Sequence, residues 1–162
     1  MNTDSPAASR IHVILVEPEI HWNTGNAGRT CLAAGAQLHL VAPLGFKLDD
    51  RRVRRAGLDY WPRVAPRIWP SWDALEAVLP TLGQPVLFAT GAIRDFWGVP
   101  YPKNVALIFG RESVGLPPAL LERYAEHTAR IPMHDPELRS LNLSTSVAIA
   151  LFEVMRQHCC GS

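Results

Sequence analysis

The chain has 162 residues, 48% of them hydrophobic, and 16 Lys and Arg against 15 Asp and Glu leave a net charge of +1. That length and composition suit one globular domain with a core of its own. They exclude a disordered chain, a bulk polycation and, with no apolar run near ~20 residues, a membrane-spanning protein.

In chain order, residues 1–10 (MNTDSPAASR) have no apolar h-region and read as a flexible tail ahead of a single domain over 11–158. IHVILVE (11–17) is apolar without alternation, as in a strand buried on both faces. NTGNAGRTCLAAG (23–35) reads as a helix with Asn23 or Thr24 near its N-cap and Gly35 past its end. QLHLVA (37–42) is a second strand, closed by Pro43. DDRRVRRAG (49–57) is a short helix capped by Asp49 or Asp50, and its Arg51, Arg52, Arg54 and Arg55 form a local basic patch. SWDALEAVL (71–79) is a helix with Ser71 as N-cap, and VLFAT (86–90) and VALIFG (105–110) are strands on either side of the turn-rich loop 91–104. PPALLERY (117–124) opens a helix with prolines, TARIPM (128–133) is a short strand, and NLSTSVAIALFEVMRQH (142–158) is the longest helix. That last helix is apolar on more than one face, which fits burial against a partner or in its own core. Strands alternating with helices predict an α/β fold, a mostly parallel sheet with helices on both faces.

Cysteines at 31, 159 and 160 form neither a disulfide framework nor a zinc spacing. The six histidines are scattered singly with no HExxH, so no metal is expected and a reducing cytoplasm is.

In parallel α/β sheets ligands bind at the carboxyl ends of the strands. The unusual segments fall there: NTGNAGR after the first strand, RESVGL after VALIFG, and HDPELRSLNLS after TARIPM. IFGRESVGL is neither GxGxxG nor GxxxxGK[ST], so a Rossmann fingerprint and a P-loop are both excluded. Ser140, Asn142 and Ser144 crowd one helix start, either as redundant caps or as a loop that holds a ligand. Arg29 follows Thr24 by about one and a half turns. With Asn23 and Asn26 beside it and a helix N-terminus nearby, it suggests a phosphate-gripping site.

EPEIHWNTGNAGRTC, IFGRESVGLP and RIPMHDPELRSLNLSTSVAIALFE, in this order and spacing, resemble the three motifs of the SPOUT class of RNA ribose methyltransferases. LGFKLDDRRVRRAGLDYW is similar to the small family within it that 2′-O-methylates the wobble pyrimidine, position 34, of tRNA. The resemblance spans roughly residues 11–157. It implies S-adenosylmethionine as methyl donor, no metal, tRNA as substrate, a homodimer, and a C-terminal trefoil knot that general topology rules would disfavour. It implies cofactor contacts at Thr90, Gly110, Ile131, Ser140, Leu141 and Asn142, and a catalytic place for Arg29 near the ribose hydroxyl. Substrate contacts are then expected from Asn23, Asn26, Arg54 and Arg55. Methylation of another RNA, such as a ribosomal ribose, and a non-catalytic RNA-binding module on the same scaffold stay open as alternatives.

Overall fold

The computed structural model describes residues 10–48 and 59–160. At its centre lies β1 (Arg10–Val16). Apart from Arg10 and His12 it is apolar, because both its faces are covered: Ile11, Val13 and Leu15 enter one apolar cluster, Ile14 and Val16 another. The chain continues through α1 (His21–Ala34), β2 (Gln37–Val41), α2 (Trp61–Val64), β3 (Arg67–Trp69), α3 (Trp72–Glu76) and α4 (Leu79–Leu82). Then come β4 (Gln84–Phe88), β5 (Asn104–Phe109), α5 (Pro118–Arg123), β6 (Thr128–Ala129) and α6 (Leu143–Cys160). Among the described residues, the strands form one six-stranded sheet of order β3-β2-β1-β5-β4-β6, with every pairing parallel. Helices α1 and α6, with Trp61 and Val64 of α2, cover one face, and α3, α4 and α5 cover the other. This is the expected α/β architecture. The strand order reverses between β1 and β5, which places a topological switch point at their carboxyl ends.

Several local expectations are corrected. Arg10, expected in the tail, already belongs to β1, and residues 1–9 lie outside the described residues. The expected helix 49–57, with Arg51, Arg52, Arg54 and Arg55, also lies outside them. Helix α1 begins at His21, so Asn23 and Thr24 are inside it rather than at its cap. The expected helix 71–79 keeps its Ser71 cap, whose Oγ accepts from the Ala74 amide at 3.2 Å, but it breaks and restarts as α4. Pro80 has no N–H and its ring collides with a preceding helical turn, so it fits only the opening turn of a new helix. The expected strand 128–133 pairs with the sheet only at Thr128–Ala129. Beyond it the Arg130 amide bonds to the Arg94 carbonyl, and Pro132 offers no donor to a ladder. Strand β3 was not expected. Its three residues are too short for a period to show, and it stands by pairing with β2. Among the described residues no helix is long and apolar enough to cross a membrane.

One buried polar chain crosses β1, β2 and β3. The Trp69 indole Nε1 donates to His39 Nδ1 at 3.0 Å, so neutral His39 carries its proton on Nε2, which faces His12 Nδ1 at 2.9 Å. Burial holds the fully buried His39 imidazole down at about 3, and the nearby His12 and Arg67 act in the same direction. His12 is lowered as well, by burial and then by Arg67 and Arg10. A histidine depressed in the folded state contributes stability above its unfolded value, about 6.5, and that stability is lost progressively as the pH falls toward the folded value. The melting temperature should therefore decline as the pH drops from about 6.5. His39→Asn, which keeps an acceptor for Trp69, should flatten that decline. An unchanged slope would show that His39 takes up its proton without unfolding.

Candidate functional site

The carboxyl ends of β1 and β5 meet at a pair of reciprocal contacts. The N-cap residue of α1, Ile20, has no side chain able to cap the helix. Glu112, from the loop after β5, does so from across the switch point. Its Oε2 accepts from the Glu19 amide at 2.7 Å and its Oε1 from the Ile20 amide at 3.0 Å. A carboxylate here meets the otherwise unpaired N–H groups and the positive end of the helix dipole. In return, Glu19 accepts from the Ser113 amide at 2.9 Å and from the Ser113 Oγ at 2.7 Å. The Ser113 hydroxyl and amide, with the Arg111 guanidinium, hold the Glu19 carboxyl below the usual carboxylate range. Arg111 also approaches Glu17, at 3.8 Å, and Glu17 itself has a left-handed φ of 51°. These half-exposed ion pairs contribute little by themselves, but they share the loop fixed by Glu112.

From Glu112 the hydrogen bonds run inward. Buried Asn23 donates from Nδ2 to Glu112 Oε1 at 3.2 Å and accepts at Oδ1 from Asn142 Nδ2 at 2.9 Å. A carboxylate only accepts, so this arrangement fixes the amide orientation of Asn23. Asn142 in turn caps α6, its Oδ1 accepting from the Ser144 hydroxyl at 2.7 Å and the Thr145 amide at 3.2 Å. The crowded polar residues therefore divide. Asn142 is the cap, Ser144 supports it, and Ser140 lies along a cavity wall.

That cavity, of about 1050 Å³, opens beside β4, β5 and β6. All six residues expected at a cofactor, Thr90, Gly110, Ile131, Ser140, Leu141 and Asn142, line it. Asn23, expected on the RNA side, lines it too. Phe88, Phe109 and Leu116 give it apolar walls. Concave, mostly apolar and edged by a few polar groups, it fits a nucleoside-sized ligand with one charged end. Ile93, Arg94, Glu112 and Val114 also line it and were not anticipated. Their signal was only that loop 91–104 is long and that Glu112 follows a strand-ending glycine.

Gly110 lines the cavity, and the chain's own backbone also requires it to be glycine. A Cβ there would meet the Gly115 carbonyl carbon and the Leu116 nitrogen, both at 2.2 Å. The loop folds back on itself there, with Arg111 and Gly115 exchanging main-chain hydrogen bonds of 3.2 and 2.8 Å. The glycine serves the turn that forms the wall, before any ligand is considered.

The structure does not bring Asn26 or Arg29 into this cavity. Trp22, Asn26, Arg29 and Ala33 share the exposed outer face of α1, spaced i, i+4, i+7 and i+11. Arg29 lies roughly 9 Å along the helix axis from Asn23. Among the described residues no group of three or more His, Cys, Asp or Glu could hold a metal ion.

Residues 10–152 match the model of the SpoU rRNA Methylase family. The chain belongs to that family. It is similar to the tRNA (cytidine(34)-2'-O)-methyltransferase of Burkholderia pseudomallei (strain 1106a), with 46% identity over 148 residues that cover 90% of this chain and 94% of the relative. A solved structure concerned with the 2-OH methylation of C/U34 on tRNA superposes with a TM-score of 0.87 at 39% identity, covering 94% of this chain and 98% of that one. An AdoMet-bound rRNA methyltransferase from Sinorhizobium meliloti, a longer chain, gives a TM-score of 0.75 at 30% identity, covering 94% of this chain and 58% of that one. In this SpoU chain the three segments singled out in the sequence become the cavity wall and the hydrogen-bonded line behind it.

Two outcomes follow from the geometry. Gly110→Ala should lower the melting temperature and the affinity for S-adenosylmethionine together, because the added methyl strikes the chain's own backbone. Calorimetry showing lost affinity at an unchanged melting temperature would instead place the clash on the ligand. Glu112→Gln should destabilise the fold by about 1 kcal/mol in urea unfolding, the scale of a lost helix cap. Unfolding at the wild-type midpoint would mean that water serves the α1 terminus equally well.

Proposed function

We propose that this protein transfers a methyl group from S-adenosylmethionine to the ribose 2′-hydroxyl of the wobble nucleotide of tRNA, position 34, cytidine or uridine. The carrying observation is the single cavity lined by all six of the expected cofactor residues, in a SpoU chain that matches wobble-nucleotide methyltransferases over nearly its whole length. That near-complete coverage supports the tRNA reading over a ribosomal substrate, since the rRNA methyltransferase compared is the longer chain.

When bound, S-adenosylmethionine supplies a methyl group already activated on a sulfonium. The chain's own task is to hold that group, exclude water, and orient the attacking hydroxyl in line. The 110–116 turn and the loop ahead of α6 wall the cavity, and Asn23 and Asn142 keep the two in register. We assign Arg29 to the hydroxyl. A guanidinium is a fork of donors with no acceptor, so it orients the oxygen and stabilises the negative charge that develops there, while the hydroxyl proton passes to solvent water. Asn26, one turn before it, and Arg54 and Arg55 are assigned to the RNA, the last two on charge alone.

Because Arg29 stands outside the cavity of its own chain, we further propose that a second copy completes the site and that the protein works as a homodimer. The exposed faces of α1 and α6 support this, each offering a large apolar side chain, Trp22 at 57% and Phe152 at 51% exposure. The trefoil knot belongs to the same proposal, as does a cytoplasmic location with tRNA.

The test is transfer to unmodified total RNA, tRNA and ribosomal RNA together, followed by mapping of 2′-O-methylation. Methylation at position 34 is expected. Methylation confined to ribosomal RNA would favour the alternative substrate, and tight S-adenosylmethionine binding without transfer would favour a binding module. Arg29→Ala and Arg29→Lys should each lose roughly 100-fold in single-turnover rate at saturating tRNA and cofactor, the scale of a lost preorganised donor to a developing oxyanion. Their S-adenosylmethionine affinity should be unchanged. Near-normal turnover by the lysine variant would reduce Arg29 to an electrostatic clamp.

A further inference from the structure

The small residues of α1 serve a second purpose, on the side away from the cavity. Glycine is unfavourable inside a helix, yet Gly25 and Gly28 are both buried in α1. A Cβ on Gly28 would meet Trp61 Cζ3 at 2.8 Å and Val64 Cγ1 at 3.2 Å, so its absence lets α2 lie directly on α1. That approach carries Tyr60, the residue before α2, alongside α1. The Tyr60 hydroxyl donates to the Gly25 main-chain carbonyl at 3.1 Å. In an α-helix that carbonyl is also the partner of the residue 29 amide. The Tyr60 ring lies under the Arg29 guanidinium, 5.7 Å from its centroid, inside the cation–π range of about 6 Å. Tyr60 is half-buried and packed on the main apolar cluster, whereas Arg29 is exposed and, among the described residues, in no ion pair.

We propose that Tyr60 is a positioning residue for Arg29, its ring holding the guanidinium at one place on the outer face of α1 while the N–H fork stays available to the substrate. The proposal rests on the reading that Arg29 acts at the ribose hydroxyl. An exposed arginine samples many rotamers, and each lost rotation raises the share of encounters in reactive geometry. The aromatic face restrains the cation without using its donors on an oxygen acceptor. The ring is the effective part, and the hydroxyl ties it to the turn from which Arg29 projects.

The experiment compares Tyr60→Phe, Tyr60→Leu, Arg29→Ala and the Tyr60→Leu/Arg29→Ala pair. It measures single-turnover methyl transfer to tRNA, S-adenosylmethionine affinity and the melting temperature. Tyr60→Phe should stay within about threefold of wild type. Tyr60→Leu, which keeps apolar bulk but no π face, should lose about tenfold in rate with cofactor affinity unchanged. In the Arg29→Ala background Tyr60→Leu should cost nothing further, because the group it positions is gone. An equal loss in both backgrounds, or no loss from Tyr60→Leu while Arg29→Ala is impaired, overturns the positioning role and leaves the Arg29 reading standing. Normal turnover by Arg29→Ala overturns both. A readout independent of turnover comes from the phenol. Burial raises the Tyr60 titration above its ordinary value and Arg29 opposes this, so Arg29→Ala should shift the titration further up. An unmoved titration would show that the ring and the cation are apart in solution, and would also overturn the proposal.

Discussion

A carboxylate borrowed from 92 residues away holds the N-terminus of α1, and the rest of the site depends on it. Helix α1 starts at the switch point of the sheet with an isoleucine at its cap, so its first amides have no local acceptor. Glu112 fills that role, and Glu19 answers by gripping Ser113. Each loop thus supplies hydrogen-bond partners to the other. The contact is charge-assisted at the helix end, which makes it stronger than a neutral cap and ties the end of β1 to the end of β5.

From that joint the order is passed on by hydrogen bonds rather than by packing. Asn23 stands between Glu112 and Asn142, with its amide orientation fixed by the carboxylate on one side. Asn142 then starts α6. One line of polar groups therefore aligns the loop after β5, the first helix and the last helix. The cavity is what remains between these loops and β4, with a wall whose tight turn at Gly110 admits no side chain.

Helix α1 faces two ways, and its sequence reflects both demands. Its buried residues are Asn23, Thr24, Gly25, Ala27, Gly28 and Cys31, of which Asn23 lines the cavity and Gly28 faces α2. Outward it presents Trp22, Asn26 and Arg29. Gly28 makes room for α2, and the Gly25 carbonyl receives the Tyr60 hydroxyl. The outward residues stand clear of the chain's own cavity.

By itself the sequence determined the fold class, because uninterrupted apolar strands between amphipathic helices can be buried only in a parallel sheet covered on both faces. It also determined the loops that bear the site, since glycines, asparagines and serines gathered after three strand ends mark the carboxyl edge of such a sheet. The family motifs then marked the six residues that now line one cavity. Three things were decided only by the tertiary structure. Glu112 caps a helix far away in sequence, and no local spacing encodes a partner 92 positions distant. Gly110 and Gly28 are needed by backbone and side chains that approach from other segments, whereas a lone glycine in a sequence says only that something comes close. Arg29 and Asn23, neighbours in one motif, part onto different faces of α1, one exposed and one buried, because a helix turns adjacent positions to different faces and only packing fixes which face is inside.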